Sequence, residues 1–486
     1  MGAVSVADGA TICAIATPPG VGGIGIVRLS GAQAREALAR VFVPLNPAFT
    51  HFRPWTLHRG RLLDADARPI DDVLAVYMPA PRTFTGEDVT ELHCHGGPAI
   101  LRAALEALLR LPLDMRLAAP GEFSRRALLN GRMDLTQAEA VAEMVAAPSR
   151  QGLYHSLARL DGRLGQQVQE VRTALEHVRQ ALCLAVDFPD DEVECLSPAE
   201  FAAAVGTAIA TLDALLASHE RARCWQEGAR VVLGGAVNAG KSSLLNALVG
   251  RNRALVTDIP GTTRDYLEEY LQLDGLPLRL TDTAGLRPPS GDTTPDPVEL
   301  LGIERSRQCL DGADVVVLVL DGAEGEAACT PLRDAARAWL GGASPVILVW
   351  NKADLGLPDP LPLPADWREA AWAVCTLSAK TGAGLEEFCH TLRRCVLTRG
   401  GRHEASGLDA RELAPDVAAP NLRQAELLRR ARGELACLEG DITSALPYDV
   451  CAVRLDAAVA LLGEVLGLHG TEEVLNAVFA TFCIGK

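Results

Sequence analysis

The distribution of apolar and polar residues divides the chain into four successive regions. From residue 11 to about 120, short apolar runs alternate with glycine- and proline-containing turns, and a helical segment at 99–111 interrupts them, which predicts a mixed α+β unit. From about 121 to 223, apolar residues recur every three or four positions, as on the buried face of a helix. The same period returns at 422–482, so we expect two helical regions separated along the chain.

Between the helical regions, strand-like apolar runs alternate with helical segments, which is the pattern of a doubly wound sheet. These runs are 231–233, 278–281, 315–320, 346–349 and 372–377. A polar stretch with glycine and proline, at 398–420, then leads into the last helices. The sheet domain is therefore predicted to be inserted into the helical one.

We predict a multidomain α/β plus α fold, and its domains are placed at 1–120 (α+β), 121–223 (helical, first part), 224–399 (inserted doubly wound sheet) and 400–486 (helical, second part). A length of 486 residues with 48% apolar content is enough for roughly three domains with packed cores. The N-terminus has no basic stretch before an apolar run, so we expect a cytoplasmic protein. No membrane association is expected, since the longest strongly apolar run, 315–320, is too short to span a bilayer.

Charge and cysteine content narrow the function classes further. The net charge of −16 argues against a broad basic surface for nucleic acid, so any RNA contact should be local or shared with a partner. The thirteen cysteines include no C-x-x-C pair and most stand in apolar segments, which predicts buried, reduced thiols. Among 46 basic residues only Lys241, Lys352, Lys380 and Lys486 are lysine. A compact ammonium on a flexible stem suits contact with phosphates.

Residues 235–242 follow a predicted strand, precede a helical run and have the pattern G-x-x-x-x-G-K-S of a phosphate-binding P loop. Its backbone amides would hold the α- and β-phosphates, Lys241 would reach the β- and γ-phosphates, and Ser242 would ligate Mg²⁺. Asp282 follows the next strand-like run, 278–281, and would place a carboxylate in the outer shell of that ion. Gly285 would offer an amide to the γ-phosphate.

The segment Asn351-Lys352-Ala353-Asp354 directly follows the strand at 346–349 and predicts guanine recognition. Asp354 can accept two hydrogen bonds from the N1 and N2 donors of guanine, which adenine lacks. The nucleotide is therefore predicted to be GTP. The predicted GTP contacts are Asn238, Ala239, Gly240, Lys241, Ser242, Ser243, Thr257, Thr262, Thr263, Asp282, Thr283, Ala284, Gly285, Asn351, Lys352, Asp354, Ser378, Ala379 and Lys380.

Residues 257–265 (TDIPGTTRD) lie where a first switch segment is expected, and together with Asn238 they resemble the potassium-activated GTPases related to translation factors. The flanking regions resemble one family, the tRNA modification GTPases MnmE (TrmE), over essentially the whole chain. The segments that carry this resemblance are 17–20 (TPPG), 22–28 (GGIGIVR), 84–89 (FTGEDV), 95–98 (HGGP), 120–124 (PGEFS) and 483–486 (CIGK).

The resemblance implies an N-terminal domain that binds folate and forms a homodimer, a split helical domain and an inserted P-loop G domain. It implies that the protein acts with a flavin-dependent partner, MnmG, in a heterotetramer or larger complex. The implied reaction adds a carboxymethylaminomethyl or aminomethyl group to carbon 5 of the wobble uridine (position 34) of certain tRNAs. The one-carbon unit would come from a reduced folate, 5-formyl- or 5,10-methylene-tetrahydrofolate.

The same resemblance implies roles for individual residues. Potassium would supply the positive charge that other GTPases take from an arginine finger, with two G domains meeting across it. The implied ligands are Ser242 and Thr263 for Mg²⁺; Asn238, Thr257, Ile259 and Thr262 for K⁺; and Arg28, Glu91, Arg132 and Lys486 for folate. The implied catalytic residues are Lys241, Asp282 and Cys483, although Cys483 is equally well explained as a packed thiol.

Two positions depart from the family pattern. The family commonly has a glutamate after Asp-Thr-Ala-Gly-Leu-Arg that orients the attacking water, whereas Pro288 stands there in this chain. Substitutes for it could come from Asp292, Asp296 or Glu299. Arg132 stands where relatives often carry lysine, which keeps the charge and changes its geometry.

Two other functions remain open at this point: a regulatory or ribosome-assembly GTPase without folate chemistry, and a nucleotide sensor with little turnover, suggested by Pro288. Three further signals have simple structural explanations. Residues 20–25 are expected to form a glycine-rich turn rather than a dinucleotide site, and His93-Cys94-His95 a loop leaving a strand rather than a metal site. A solvated helix face is expected for Arg423, Arg429, Arg430 and Arg432 in preference to a tRNA contact.

Overall fold

The computed structural model describes residues 9–187, 197–252, 268–282, 312–358, 361–398, 418–444, 446–468, 472–480, 482 and 484–485. The chain divides into two compact units, one formed by residues 1–145, 159–216 and 422–486, the other by residues 146–158 and 217–421. Each unit contains a sheet and helices, and the predicted α/β plus α architecture is confirmed. The limits of the four regions drawn from the sequence remain predictions.

The first unit contains a sheet formed by the N-terminal part of the chain. Its described strands are β1 (Thr11–Ile15), β2 (Gly22–Ser30), β3 (Phe42–Pro44), β4 (His58–Leu63), β5 (Pro69–Met78), β6 (Val89–Gly96) and β7 (Met115–Leu117). They lie in the order β3-β4-β5-β6-β2-β1-β7, and the neighbours are antiparallel except for the parallel pair β1 and β7. Between Gly22 and Gly25 the register of β2 shifts against β6, so the glycine-rich segment expected to be a turn partly belongs to a strand.

Helices account for most of the remaining described residues. They are α1 (Ala34–Val41), α2 (Pro98–Leu109), α3 (Glu122–Leu129), α4 (Leu135–Ala146), α5 (Arg150–Leu160), α6 (Arg163–Asp187), α7 (Pro198–Glu227), α8 (Lys241–Asn252), α9 (Arg333–Leu340), α10 (Ala365–Ala370), α11 (Leu385–Thr398), α12 (Leu422–Thr443), α13 (Tyr448–Leu466) and α14 (Glu472–Ala480). The helix expected at 99–111 is α2, and both helical regions are found where the period of three to four predicted them.

The two faces of the N-terminal sheet have different coverings because successive side chains of a strand point to opposite sides. Val27 and Leu29 of β2 lie in the core that α1 and α2 form with this sheet. On the other face, Phe123 of α3 packs against Ile12 and Ala14 of β1. Side chains at the even-numbered positions of β2 therefore lie on the face that α3 partly covers.

One predicted loop is a strand. His93, Cys94 and His95 all belong to β6. Cys94 is buried in the core, whereas the His93 ring contacts Glu91 and the His95 ring contacts Asp71. The alternation of polar and apolar side chains in this segment is that of a strand with one covered face. Within the described residues no group of three or more His, Cys, Asp or Glu could hold a metal ion.

A buried carboxylate joins helical segments that are far apart in the sequence. Glu139 of α4 accepts hydrogen bonds from Nε and Nη2 of Arg423 at 2.5 and 2.9 Å and from Gln424 of α12 at 2.5 Å. Arg423 also donates to the carbonyl groups of Glu464 and Val465 in α13. The Arg423 side chain therefore connects α12 to α4 and to α13.

The solvated helix face predicted for four arginines of α12 is wrong for Arg423, because Glu139 binds its guanidinium. The other three fit the expectation better. Arg430 is exposed, and Arg429 and Arg432 are partly exposed and form ion pairs at the surface.

The second unit contains the predicted doubly wound sheet. Its strands are β8 (Ala229–Gly235), β9 (Glu268–Leu273), β10 (Leu276–Asp282), β11 (Val315–Asp321), β12 (Val346–Asn351) and β13 (Ala373–Thr376), in the order β13-β12-β11-β8-β10-β9. All pairs are parallel except β9 with β10. Every strand-like run predicted between the helical regions is a strand of this sheet.

Helices cover both faces of this sheet. Val317 and Ile347 lie in the core that includes α8 and α11, whereas Leu318 and Leu348 lie in the core that includes α9 and α10. Because β11 and β12 are buried on both faces, they read as continuous apolar runs in the sequence.

Most of the described cysteines are buried, as predicted. Burial raises the pKa of Cys13, Cys94 and Cys395 to about 12, so these thiols stay protonated and unreactive. Cys183 and Cys437 are exposed.

By length and composition one described helix, Ala199–Glu227, could cross a membrane, with a mean hydropathy of 1.6. A single helix of this kind is weak evidence, because core helices of soluble proteins meet the same criteria.

Candidate functional site

Those predicted nucleotide-binding residues that the structure describes gather at one edge of the sheet in the second unit. β8, β11, β12 and β13 are parallel neighbours, so their carboxyl ends lie together. The P loop leaves the end of β8 and enters α8 at Lys241, and Asn351 ends β12. Asp321, the last residue of β11, lies directly opposite Asn351.

The backbone of the P loop has positive φ angles at Gly235 (147°), Asn238 (65°) and Gly240 (92°). Lys241, the first residue of α8, is buried, and its ammonium donates to the carbonyl oxygens of Gly235 at 3.0 Å and Ala236 at 2.9 Å. These two hydrogen bonds therefore keep the Lys241 ammonium next to the backbone of the P loop. Ser242, Ser243 and the side chain of Asn238 are exposed.

Asn351 connects the P loop to the loop that follows β13. Its side chain is buried, donates from Nδ2 to the carbonyl of Ala239 at 2.9 Å, and accepts from the backbone N–H of Ala379 at 3.0 Å. Asn351 thus holds the loop after β8 and the loop after β13 in fixed positions relative to each other. Gly240 is required at this place, because a Cβ atom built on it would overlap the side-chain nitrogen of Asn351.

Asp354, the predicted guanine acceptor, is exposed and accepts a hydrogen bond from the hydroxyl of Ser378 at 2.6 Å. That hydrogen bond, with the nearby charges of Lys380 and Lys352, holds the pKa of Asp354 below its ordinary value. The carboxylate is therefore ionised and accepts hydrogen bonds only, as recognition of the N1 and N2 donors requires. Ser378 itself is fully buried, and Lys380 is exposed.

Asp321 is a residue of this edge that was not predicted from the sequence. Its carboxylate lies 2.5 Å from the Lys352 ammonium and also accepts from the backbone N–H of Ala323 at 3.0 Å. The signal that could have indicated it is an aspartate directly after a buried apolar run, where a parallel strand ends at the ligand-binding edge.

Several predicted residues lie outside the described part of the chain. These are Thr257, Ile259, Thr262, Thr263, Thr283, Ala284, Gly285, Pro288, Asp292, Asp296, Glu299, Cys483 and Lys486. The backbone of Asp282 is described at the end of β10, where it pairs in register with Leu233 of β8.

The first unit brings two of the predicted folate contacts together. Arg28 of β2 and Glu91 of β6 are directly opposite one another, and Arg28 Nε donates to Glu91 Oε1 at 2.8 Å. Arg28 Nη1 also donates to the carbonyl of Gly485 at 3.2 Å, which holds the C-terminal segment at this point. The guanidinium lies 5.9 Å from the ring centroid of Phe123.

The charge state of Glu91 follows from its neighbours. Burial opposes its ionisation, but the Arg28 guanidinium and a hydrogen bond from His93 outweigh burial and lower the pKa of this carboxyl group. The His93 ring nitrogen Nε2 lies 3.1 Å from Glu91 Oε2. Arg132 is exposed and donates to the carbonyl of Thr83 at 3.2 Å.

The chain is similar to known proteins over almost its whole length. A family model described as "MnmE helical domain" matches residues 135–483, and one described as "GTP-binding protein TrmE N-terminus" matches residues 11–132. Among curated proteins, the chain is 50% identical over 478 residues to the "tRNA modification GTPase MnmE" of Nitratidesulfovibrio vulgaris (strain DP4), covering 98% of this chain and 99% of that protein. It is 47% identical over 483 residues to the protein of the same name from Lawsonia intracellularis (strain PHE/MN1-00), covering 98% and 99%.

Among solved structures, the chain is similar to the FeoB G-domain from Methanococcus jannaschii at 23% identity, covering 35% of this chain and 97% of that one with a TM-score of 0.25. A TM-score this low carries no weight for the fold assignment.

The substitution Gly240→Ala should weaken nucleotide binding by more than about tenfold, because the added Cβ displaces the Asn351 amide and the backbone is left-handed there. Gly250→Ala is the matched control, since Gly250 lies in α8 with no neighbour within 4 Å of the new atom. Titration of each variant with fluorescent GDP measures the effect. Equal affinities for both variants would contradict the proposed role of Gly240.

Proposed function

Because the chain belongs to the MnmE family of tRNA modification GTPases, we propose that its GTP hydrolysis is potassium-dependent and is coupled to modification of carbon 5 of the wobble uridine. The group added would be carboxymethylaminomethyl or aminomethyl, with the carbon taken from a reduced folate. The observation that carries the nucleotide half of this proposal is the hydrogen bonding of Asn351, which joins the phosphate loop to the guanine loop.

Lys241 and Ser242 stand at the N-terminus of α8, where helix amides and a lysine charge together stabilise phosphate oxygens. Ser242 is exposed there and can offer its hydroxyl to Mg²⁺, with Thr263 as the second protein ligand. Asn238 is exposed in the same loop and can offer an amide oxygen to K⁺, with Thr257, Ile259 and Thr262 supplying the others. Bound K⁺ would supply positive charge to the leaving phosphate oxygens.

The folate half of the proposal is supported by the Arg28 and Glu91 pair on the sheet of the first unit. A reduced pterin ring carries adjacent N–H donors that match an ionised carboxylate, and each oxygen of Glu91 retains a lone pair beyond its present hydrogen bond. Arg28 holds Gly485 next to this pair by a hydrogen bond. In the sequence, Cys483 lies two positions before Gly485 and Lys486 directly follows it. We propose Arg132 and Lys486 as further folate contacts.

We propose that the protein is a cytoplasmic homodimer that works with a flavin-dependent partner of the MnmG type and with tRNA. Exposed apolar side chains at the β3 edge of the described N-terminal sheet support self-association. Val43 lies in edge strand β3, Leu45 follows it and Leu57 precedes β4, and each is more than two-fifths exposed. The net charge of −16 favours a tRNA contact that is shared with the partner.

GTP hydrolysis in KCl should exceed that in NaCl at equal ionic strength by about tenfold or more, as expected for a cation that replaces an arginine finger. Asn238→Ala should abolish the stimulation, whereas Asn246→Ala, an exposed asparagine of α8, should keep it. Steady-state phosphate release measures both. Slow turnover in both salts would instead favour a nucleotide sensor, the function suggested by Pro288.

Calorimetric titration with 5-formyl-tetrahydrofolate should show binding that Glu91→Gln weakens by about tenfold or more, because the charge-assisted hydrogen bonds are lost. Glu36→Gln is the matched control, since Glu36 forms an exposed ion pair with Arg40 on α1. Absence of folate binding to the unaltered protein would contradict the folate proposal and favour a regulatory or ribosome-assembly GTPase.

A further inference from the structure

Asp321 occupies a fixed place between two parts of the nucleotide pocket. It ends β11 directly opposite Asn351, and its side chain is only 9% exposed. The strand ends approach so closely here that a Cβ atom on Gly322 would overlap the carbonyl oxygen of Asn351. The carboxylate therefore has little freedom to move away from β12.

Both carboxylate oxygens of Asp321 have partners. One accepts the backbone N–H of Ala323, and the other lies 2.5 Å from the ammonium of Lys352. The first contact is local and caps the short helix Gly322–Leu332. The contact with Lys352 joins the end of β11 to the guanine-recognition segment that follows β12. Helix capping alone would not require this contact.

Lys352 has a left-handed backbone conformation (φ 64°, ψ 35°), which is unfavourable for a residue with a side chain. Such a conformation persists only where the surroundings hold it. Asn351 on one side is fixed by its hydrogen bonds to Ala239 and Ala379, and Lys352 itself is fixed by Asp321. Asp354 follows this turn by two residues, so its direction depends on the turn.

We propose that Asp321 is a positioning residue for guanine-nucleotide binding, which acts by holding the Lys352 ammonium and so fixing the turn that presents Asp354. The proposal rests on nucleotide binding at this edge of the sheet. It identifies a residue outside the phosphate loop and the guanine-recognition segments that sets the affinity for the base.

The effect should appear in binding rather than in chemistry. A contact near the base is the same in the bound nucleotide and in the transition state, so its loss raises KM and leaves kcat unchanged. Because the Lys352 side chain is 33% exposed, the ion pair is partly screened, and we expect about a fivefold change in affinity.

The test is a double-mutant cycle with Asp321→Asn and Lys352→Met, read out as the Kd for GDP and the KM and kcat for GTP. Asparagine keeps an acceptor for the Ala323 N–H and removes the charge. Asp314→Asn is the matched control, because Asp314 also pairs with an arginine, Arg223, and accepts a backbone N–H at 2.8 Å in the same unit. If Asp321→Asn fails to fold, Asp321→Ser replaces it, since serine can also cap.

We expect Asp321→Asn to raise the Kd for GDP and the KM for GTP about fivefold and to leave kcat unchanged. In the Lys352→Met background, the same substitution should raise these two constants by less than about twofold. Asp314→Asn should change neither Kd nor KM. The proposal is overturned if Asp321→Asn leaves GDP affinity unchanged or weakens it equally in both backgrounds. A fall in kcat alone would overturn it as well. Lack of GDP binding by the unaltered protein would overturn the nucleotide site itself, which separates the two failures.

Discussion

The nucleotide site depends on the parallel alignment of β8, β11, β12 and β13. Parallel strands end at one edge, so residues from distant parts of the sequence meet there without any long-range sequence signal. The side-chain amide of Asn351 connects two of these segments, because it donates a hydrogen bond to the carbonyl of Ala239 and accepts one from the N–H of Ala379. The predicted phosphate loop and the predicted guanine-recognition loop are consequently joined by hydrogen bonds through one side chain.

The distribution of charge explains why an acidic chain can still bind an anion. Lys241, Lys352 and Lys380, three of its four lysines, lie in the segments at this edge. Two of them are held by oxygen atoms of the protein, Lys241 by loop carbonyls and Lys352 by Asp321. In the first unit Arg28 and Glu91 form a second, separate polar site. Each site thus combines a cation with a carboxylate or carbonyl acceptor in a fixed direction.

The sequence allowed the sheet of the second unit and its P loop to be predicted, because continuous apolar runs and glycine spacing are local signals. The segment at His93 belongs to strand β6 and not to a loop, a difference that the sequence does not reveal because two histidines around one cysteine carry no strong propensity. Contacts between distant residues could not be predicted. Glu139 binds Arg423, 284 positions away, and Asp321 binds Lys352, 31 positions away, and neither pair has a spacing that indicates contact.

We propose that Asp354, placed at the carboxyl edge of the sheet, selects guanine. This proposal is tested most directly by measuring Kd for GDP and for xanthosine diphosphate with the unaltered chain and with Asp354→Asn. Xanthine carries an oxygen where guanine carries the N2 amino group, so an asparagine amide matches it and a carboxylate repels it. We expect the unaltered chain to prefer GDP and the variant to prefer xanthosine diphosphate. A variant that still prefers GDP would contradict it.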